Sequence, residues 1–213
     1  MIFDGRPSDG QFNKLIDEAI KEMPDWFLGE HTYKKLKTQS AAIAARQNMG
    51  KMLAELRLTA ANKDTDKDTA EEAGWLLERL DPYAKGQLDK AKELVDKDPV
   101  KSLEVFNDVA KTFSGSPEGD EAAAKVKELK ADEKFQKELV AAGILSKVEL
   151  GMEKLQPCKN GQKLDIGGCP ECKKRNSDKL GPLVAQLRTL TTKYEGTLAA
   201  TEATTMLGNW GVK

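Results

Sequence analysis

The chain is short of almost everything that marks a specific chemistry. Among 213 residues there is one histidine, His31, and nothing near it supplies the rest of a nucleophile triad. Three cysteines are too few for a disulfide scaffold, and an odd number leaves one over if two pair. Basic and acidic residues nearly cancel, 34 against 35 for a net charge of −1, so there is no long-range pull toward nucleic acid or an anionic membrane. No apolar run approaches the roughly 20 residues needed to cross a bilayer. No sustained alternating or β-branched run reads as a strand. Gly167-Gly168 and Gly208-Asn-Trp-Gly211 match neither dinucleotide nor nucleotide loops. The start, Met1-Ile-Phe-Asp-Gly-Arg6, has neither the basic segment nor the apolar run of a secretory leader, which fits a cytoplasmic protein or one whose leader has been removed.

What is present is helix. With 39% hydrophobic and 32% charged residues the chain can bury a proper core as one large or two small domains. Its most informative stretch is Val105 to Leu129, which returns in altered spelling as Gln186 to Trp210, an offset of 81 positions. The offset sets Phe106 on Leu187, Val109 on Leu190, Phe113 on Tyr194, Gly115 on Gly196, Ser116 on Thr197, Ala122 on Ala203, Val126 on Leu207 and Leu129 on Trp210. In both copies apolar residues three or four apart end at an aromatic. A glycine then stops the helix in a left-handed conformation, and a hydroxyl caps the next one. The repeated unit is a helix, a tight corner and a second helix.

In chain order, Ser8 and Gln11 form a capping pattern ahead of Phe12, Leu15, Ile16, Ala19, Ile20 and Met23, a short amphipathic helix stopped by Pro24. Trp26, Phe27 and Leu28 make an apolar linker that plugs the following helices or meets a partner. Glu30 to Asn62, free of proline, reads as one long helix, and Asn62 to Asp68 as a turn. Helices then cover Thr69 to Leu80, closed by Asp81-Pro82, and Tyr83 to Asp96. Asp98-Pro99 and Ser116-Pro117 supply a cap and a first-turn proline for Pro99 to Phe113 and its partner. Asp132 to Ala142 and Leu145 to Gln156 follow, separated by Gly143, and then Asp178 to Tyr194 and Leu198 to Leu207. Asp64, Asp66 and Asp68 have the first spacings of a calcium loop, but Thr69 holds its glycine position and Trp75 its glutamate position, which leaves a solvated turn capping the next helix.

Lys193-Tyr-Glu-Gly-Thr197 followed by Ala199, Ala200, Ala203 and Leu207 resembles the aromatic, glycine, hydroxyl, alanine signature of tetratricopeptide-like helical-repeat proteins of the bacterial cell envelope. Thr112-Phe-Ser-Gly-Ser116 with Ala122, Ala123 and Val126 is a looser copy. The resemblance spans Tyr83 to Trp210, with the copies 81 residues apart where the standard repeat is about 34. It implies an all-α array of antiparallel helical hairpins that serves as an interaction scaffold, with a periplasmic or cell-envelope location favoured over a cytoplasmic one. On this reading residues 1–82 are an N-terminal helical region and residues 83–213 carry the hairpins.

All three cysteines fall where the second copy carries about 20 extra residues, in a loop over residues 157–177. Gly167-Gly-Cys169-Pro-Glu-Cys172-Lys reads like one zinc knuckle, with Cys158 as a third ligand. A closed zinc site wants four ligands; Asp165, His31 or a residue of a second copy are the candidates for the fourth. The alternative is a disulfide from Cys158 to Cys169 or to Cys172, closing a loop worth about 3 kcal/mol in chain entropy. A redox role for Cys169 and Cys172 is the third reading, and Lys163 to Ile166 offers it only one candidate strand. Lys159, Lys163, Lys173, Lys174, Arg175 and Lys179 make the segment basic, but it holds no aromatic for base stacking. The sequence points to a non-enzymatic scaffold or assembly subunit whose partner is another protein, not nucleic acid, with self-association open and zinc the one cofactor in question. The rival is a thiol-disulfide protein using Cys169 and Cys172.

Overall fold

A computed structural model describes residues 28, 31–157 and 164–212, so the expected helix from Ser8 to Met23, together with Trp26, Phe27 and Cys158, lies outside the described residues. Among the described residues there are nine helices and no strand. They are α1 (Lys37–Ala44), α2 (Met49–Ala61), α3 (Lys67–Leu94), α4 (Pro99–Thr112), α5 (Pro117–Ala131), α6 (Glu133–Met152), α7 (Pro170–Arg175), α8 (Ser177–Lys193) and α9 (Leu198–Asn209). None is long and apolar enough to cross a membrane. The chain divides into two compact units, Met1–Glu93 with Ser102–Val126 and Leu94–Lys101 with Lys127–Lys213.

In the first unit the single long helix expected over Glu30 to Asn62 is two helices. α1 ends in a Schellman closure: Gln47 N–H reaches Ala42 O at 2.8 Å and Arg46 N–H reaches Ile43 O at 2.9 Å, with Arg46 left-handed at φ 53°. Asn48, also left-handed at φ 49°, then starts α2. No proline or glycine marks the break, because asparagine and, here, arginine take the conformation usually left to glycine.

The opposite correction applies at Asp81-Pro82, where α3 runs straight through. Ala73, Leu76, Leu80, Ala84, Leu88 and Ala91 form one buried stripe on both sides of Pro82. A mid-helix proline costs about 3 kcal/mol, and burying a leucine or similar side chain returns about 1.5–3 kcal/mol each. Asp81, inside the helix, accepts from Arg57 through its carboxylate.

The second unit packs α6, α8 and α9 around Ala141, Val148, Leu183, Leu187, Leu190, Ala203 and Trp210. Trp210 is only 6% exposed and belongs to this core. α6 is one helix, not two: Ala141 and Val148, both fully buried, continue its inner face past Gly143.

Each unit contains one copy of the repeated corner. At the first, Ser116 N–H bonds Phe113 O at 3.0 Å around Gly115 at φ 85°. At the second, Thr197 N–H bonds Tyr194 O at 3.2 Å around Gly196 at φ 83°. A tight turn with a positive φ at its third residue is a glycine position. The hydroxyls match too. Ser116 Oγ donates to Phe113 O (2.9 Å) and accepts from Gly119 N–H (3.3 Å), while Thr197 Oγ1 donates to Tyr194 O (2.7 Å) and accepts from Ala200 N–H (3.1 Å). The repeat seen in the sequence is therefore a repeat of hydrogen bonds.

Candidate functional site

The cysteine knuckle is built by a turn, a cap and a clamp. Asp165 closes the turn: its Oδ1 accepts Gly168 N–H at 2.8 Å and its carbonyl accepts Cys169 N–H at 3.3 Å. Gly167 is a packing requirement, because a Cβ there would run into the backbone carbonyl of Asn209 at the end of α9, and a Cβ on Gly168 would displace the Asp165 carboxylate. Cys169 is the N-cap of α7, in extended backbone, and its sulfur accepts the N–H of Cys172 at 3.3 Å, with Pro170 at the first helical position. Cys172 is fully buried in the core of the second unit with Leu155, Ile166, Leu183, Leu187 and Trp210, and the half-buried Cys169 packs on the same cluster.

The clamp is Asn176, which is fully buried. Its Oδ1 accepts Gln156 N–H at 2.8 Å, and its Nδ2 donates to Gln156 O and to Cys172 O, both at 2.9 Å. One side-chain amide thus pairs with a backbone amide as a neighbouring strand would, holding Leu155–Pro157 against the knuckle. Arg175 donates to Gln156 Oε1 (2.9 Å) and Pro157 O (3.0 Å), and Lys179 to Lys154 O (3.0 Å). Two of the six basic residues of the segment are therefore engaged with oxygens of Lys154–Pro157, and Lys159 and Lys163 lie outside the described residues. Nothing in the sequence singled out Asn176 or announced the clamp.

The structure brings Cys169, Cys172 and Asp165 into one knuckle, while Cys158 lies outside the described residues. Among the described residues no three His, Cys, Asp or Glu side chains gather as a metal cluster. His31, the other fourth-ligand candidate, belongs to the first unit. It stacks on Trp75 with ring centres 4.3 Å apart and planes 9° from parallel.

The charged clusters of the first unit are structural. Glu72, 5% exposed, receives Lys34, Lys35 and Leu36 N–H at 2.8–2.9 Å. Burial works to raise its pKa, but these three donors outweigh it and hold the carboxyl below the ordinary value. Arg57 joins Asp81 (2.7 Å) to Glu118 (2.6 Å). The Glu118 hydrogen bond, followed by those to Asp81 and opposed by burial, raises the guanidinium pKa. Glu118 is lowered because the Arg57 bond overcomes the larger single effect of burial with the help of smaller ones. Asp66 caps α3 through Thr69, whose hydroxyl donates at 2.6 Å and depresses that carboxyl.

Among the described residues, large apolar side chains reach the surface in a groove of mixed lining and on α6, besides Val100 and Leu198. A groove of about 340 Å³ in the first unit is lined by Leu36, Gln39, Glu55, Leu56, Leu58 and Thr59, with Leu58 72% exposed. On α6, Val140 and Leu150 are 50% and 55% exposed on the side turned away from Ala141 and Val148. Gly143, also exposed, lies between them with nothing within 4 Å of where its Cβ would stand. Comparison with protein-family models, curated proteins and solved structures finds no match to this chain.

Proposed function

We propose that this chain is a non-enzymatic interaction scaffold built of tetratricopeptide-like helical hairpins, which binds a helix of another protein, and that the cysteine knuckle serves to staple its second unit. The observation that carries the reading is the outer side of α6. A surface helix normally turns charge toward water. Here that side carries exposed Val140, Gly143 and Leu150 with a single charge, Lys147, between the last two. Exposed apolar side chains flanking a bare backbone suit an apolar helix laid across them, with Gly143 permitting close approach. The recurrence of one corner in both units supports a hairpin plan.

The test compares wild type with the double variant Val140→Glu/Leu150→Glu in affinity capture followed by chemical cross-linking. The expected outcome is loss of the wild-type partner with circular dichroism and thermal midpoint unchanged, because both side chains already face solvent. Undiminished capture by the variant would contradict the reading. If sedimentation shows the chain paired only with itself, the scaffold for another protein gives way to a homo-oligomer.

A further inference from the structure

We infer that Cys169 and Cys172 form a dithiol site that a low-molecular-weight disulfide oxidises in a fixed order, Cys169 first and Cys172 second. The inference does not depend on the scaffold reading.

Three features of the knuckle lead there. The first is proximity. Cys169 sulfur stands 3.3 Å from the backbone nitrogen of Cys172, two bonds from that residue's own Cβ. A disulfide needs Cα atoms about 4.4–6.8 Å apart, and a cap residue touching the amide three positions on satisfies that without moving the helix. Rotation of Cys172 about its Cα–Cβ bond turns its sulfur toward that of Cys169. The second is rigidity. Pro170 fixes the backbone dihedral between the two cysteines, Lys173 N–H is bonded to Cys169 O at 3.1 Å, and Asn176 holds Cys172 O at 2.9 Å. The third is unequal access. Cys169 is partly exposed and Cys172 fully buried, so a reagent from solvent meets Cys169 and not its partner.

The chemistry balances in two exchanges. Cys169 sulfur, its proton passed to solvent, attacks the small disulfide, forms a mixed disulfide and releases one thiolate. Cys172 sulfur, likewise deprotonated, attacks the Cys169 sulfur and expels the second thiolate. The two released thiolates take up the two protons, so the cysteines lose two electrons and the reagent gains them.

The experiment uses the full chain carrying Cys158→Ser, which leaves two sulfurs. Reduced protein is mixed with oxidised glutathione at neutral pH, quenched with iodoacetamide over time and read by intact mass and peptide mapping. The expected product is two hydrogens lighter, carries no adduct and maps to Cys169–Cys172, with a transient glutathione adduct on Cys169. Adding Cys172→Ala should trap that adduct. Adding Cys169→Ala should slow modification by about 10-fold or more, because a buried thiol is inert to solvent reagents. Should either added variant fail to fold, the transient adduct in the Cys158→Ser chain still decides the order. Equal rates at the two cysteines, a first adduct on Cys172, or two thiols that stay alkylatable throughout would overturn the inference.

Discussion

At Phe113–Ser116 the chain turns with two glycines crowding it; at Tyr194–Thr197 it makes the same turn with an alanine in the place of one of them. A Cβ on Gly50 of α2 or on Gly119 of α5 would run into the backbone of Phe113, so two elements press on that peptide. In the second copy the offset of 81 puts Ala200 where the first has Gly119, and the buried Ala200 fits there. The hydrogen bonds of the two corners match nonetheless. The comparison separates what a corner needs for itself, an aromatic, a glycine and a hydroxyl, from what its neighbours demand of it. Local chemistry makes the turn, and tertiary packing sets the size of the residues that may approach.

The largest expected effect breaks this comparison at its unequal position. Gly119→Ala should cost about 3 kcal/mol, since the obstacle is backbone that cannot swing aside. The reciprocal change Ala200→Gly should cost about 1 kcal/mol, the helix-propensity difference. Urea unfolding followed by hydrogen exchange reads each unit separately.

A smaller effect sharpens the contrast between the units' interiors. Glu72 has a folded pKa below its ordinary value, so its contribution is fully present above the unfolded pKa of about 4.3. That contribution is lost as pH falls through the folded pKa. In Glu72→Gln the first unit should be less stable at pH 7, and its stability should fall less on acidification than wild type; acid titration of hydrogen-exchange protection checks both. The clamp in the second unit, Asn176, is an amide and contributes no such acid limb.

Several of these features were legible from residues alone. The aromatic, glycine and hydroxyl at each corner follow from stereochemistry that only glycine satisfies, and Asp98-Pro99 and Ser116-Pro117 read correctly as helix starts, whereas the short helix that begins at Pro170 was read as a turn. Two stop signals misled for one reason: at Pro82 and at Gly143 a buried stripe on both sides outweighed a local preference for ending the helix. The break after Ala44 was hidden for the opposite reason, because Arg46 and Asn48 accept left-handed backbone without advertising it. In the knuckle, the cysteine spacing was visible. Asn176 was not, since a buried amide bonded to a segment 20 residues away depends on the tertiary fold.

The most direct test of the repeated corner is a side-by-side measurement of Gly115→Ala and Gly196→Ala. Both glycines are left-handed, and nothing lies within 4 Å of either prospective Cβ. Each substitution therefore meets only the backbone cost of about 1–2 kcal/mol. The account predicts equal losses within about 0.5 kcal/mol, each confined by hydrogen exchange to its own unit. A neutral substitution at one corner beside a costly one at the other would show that the two corners are different devices.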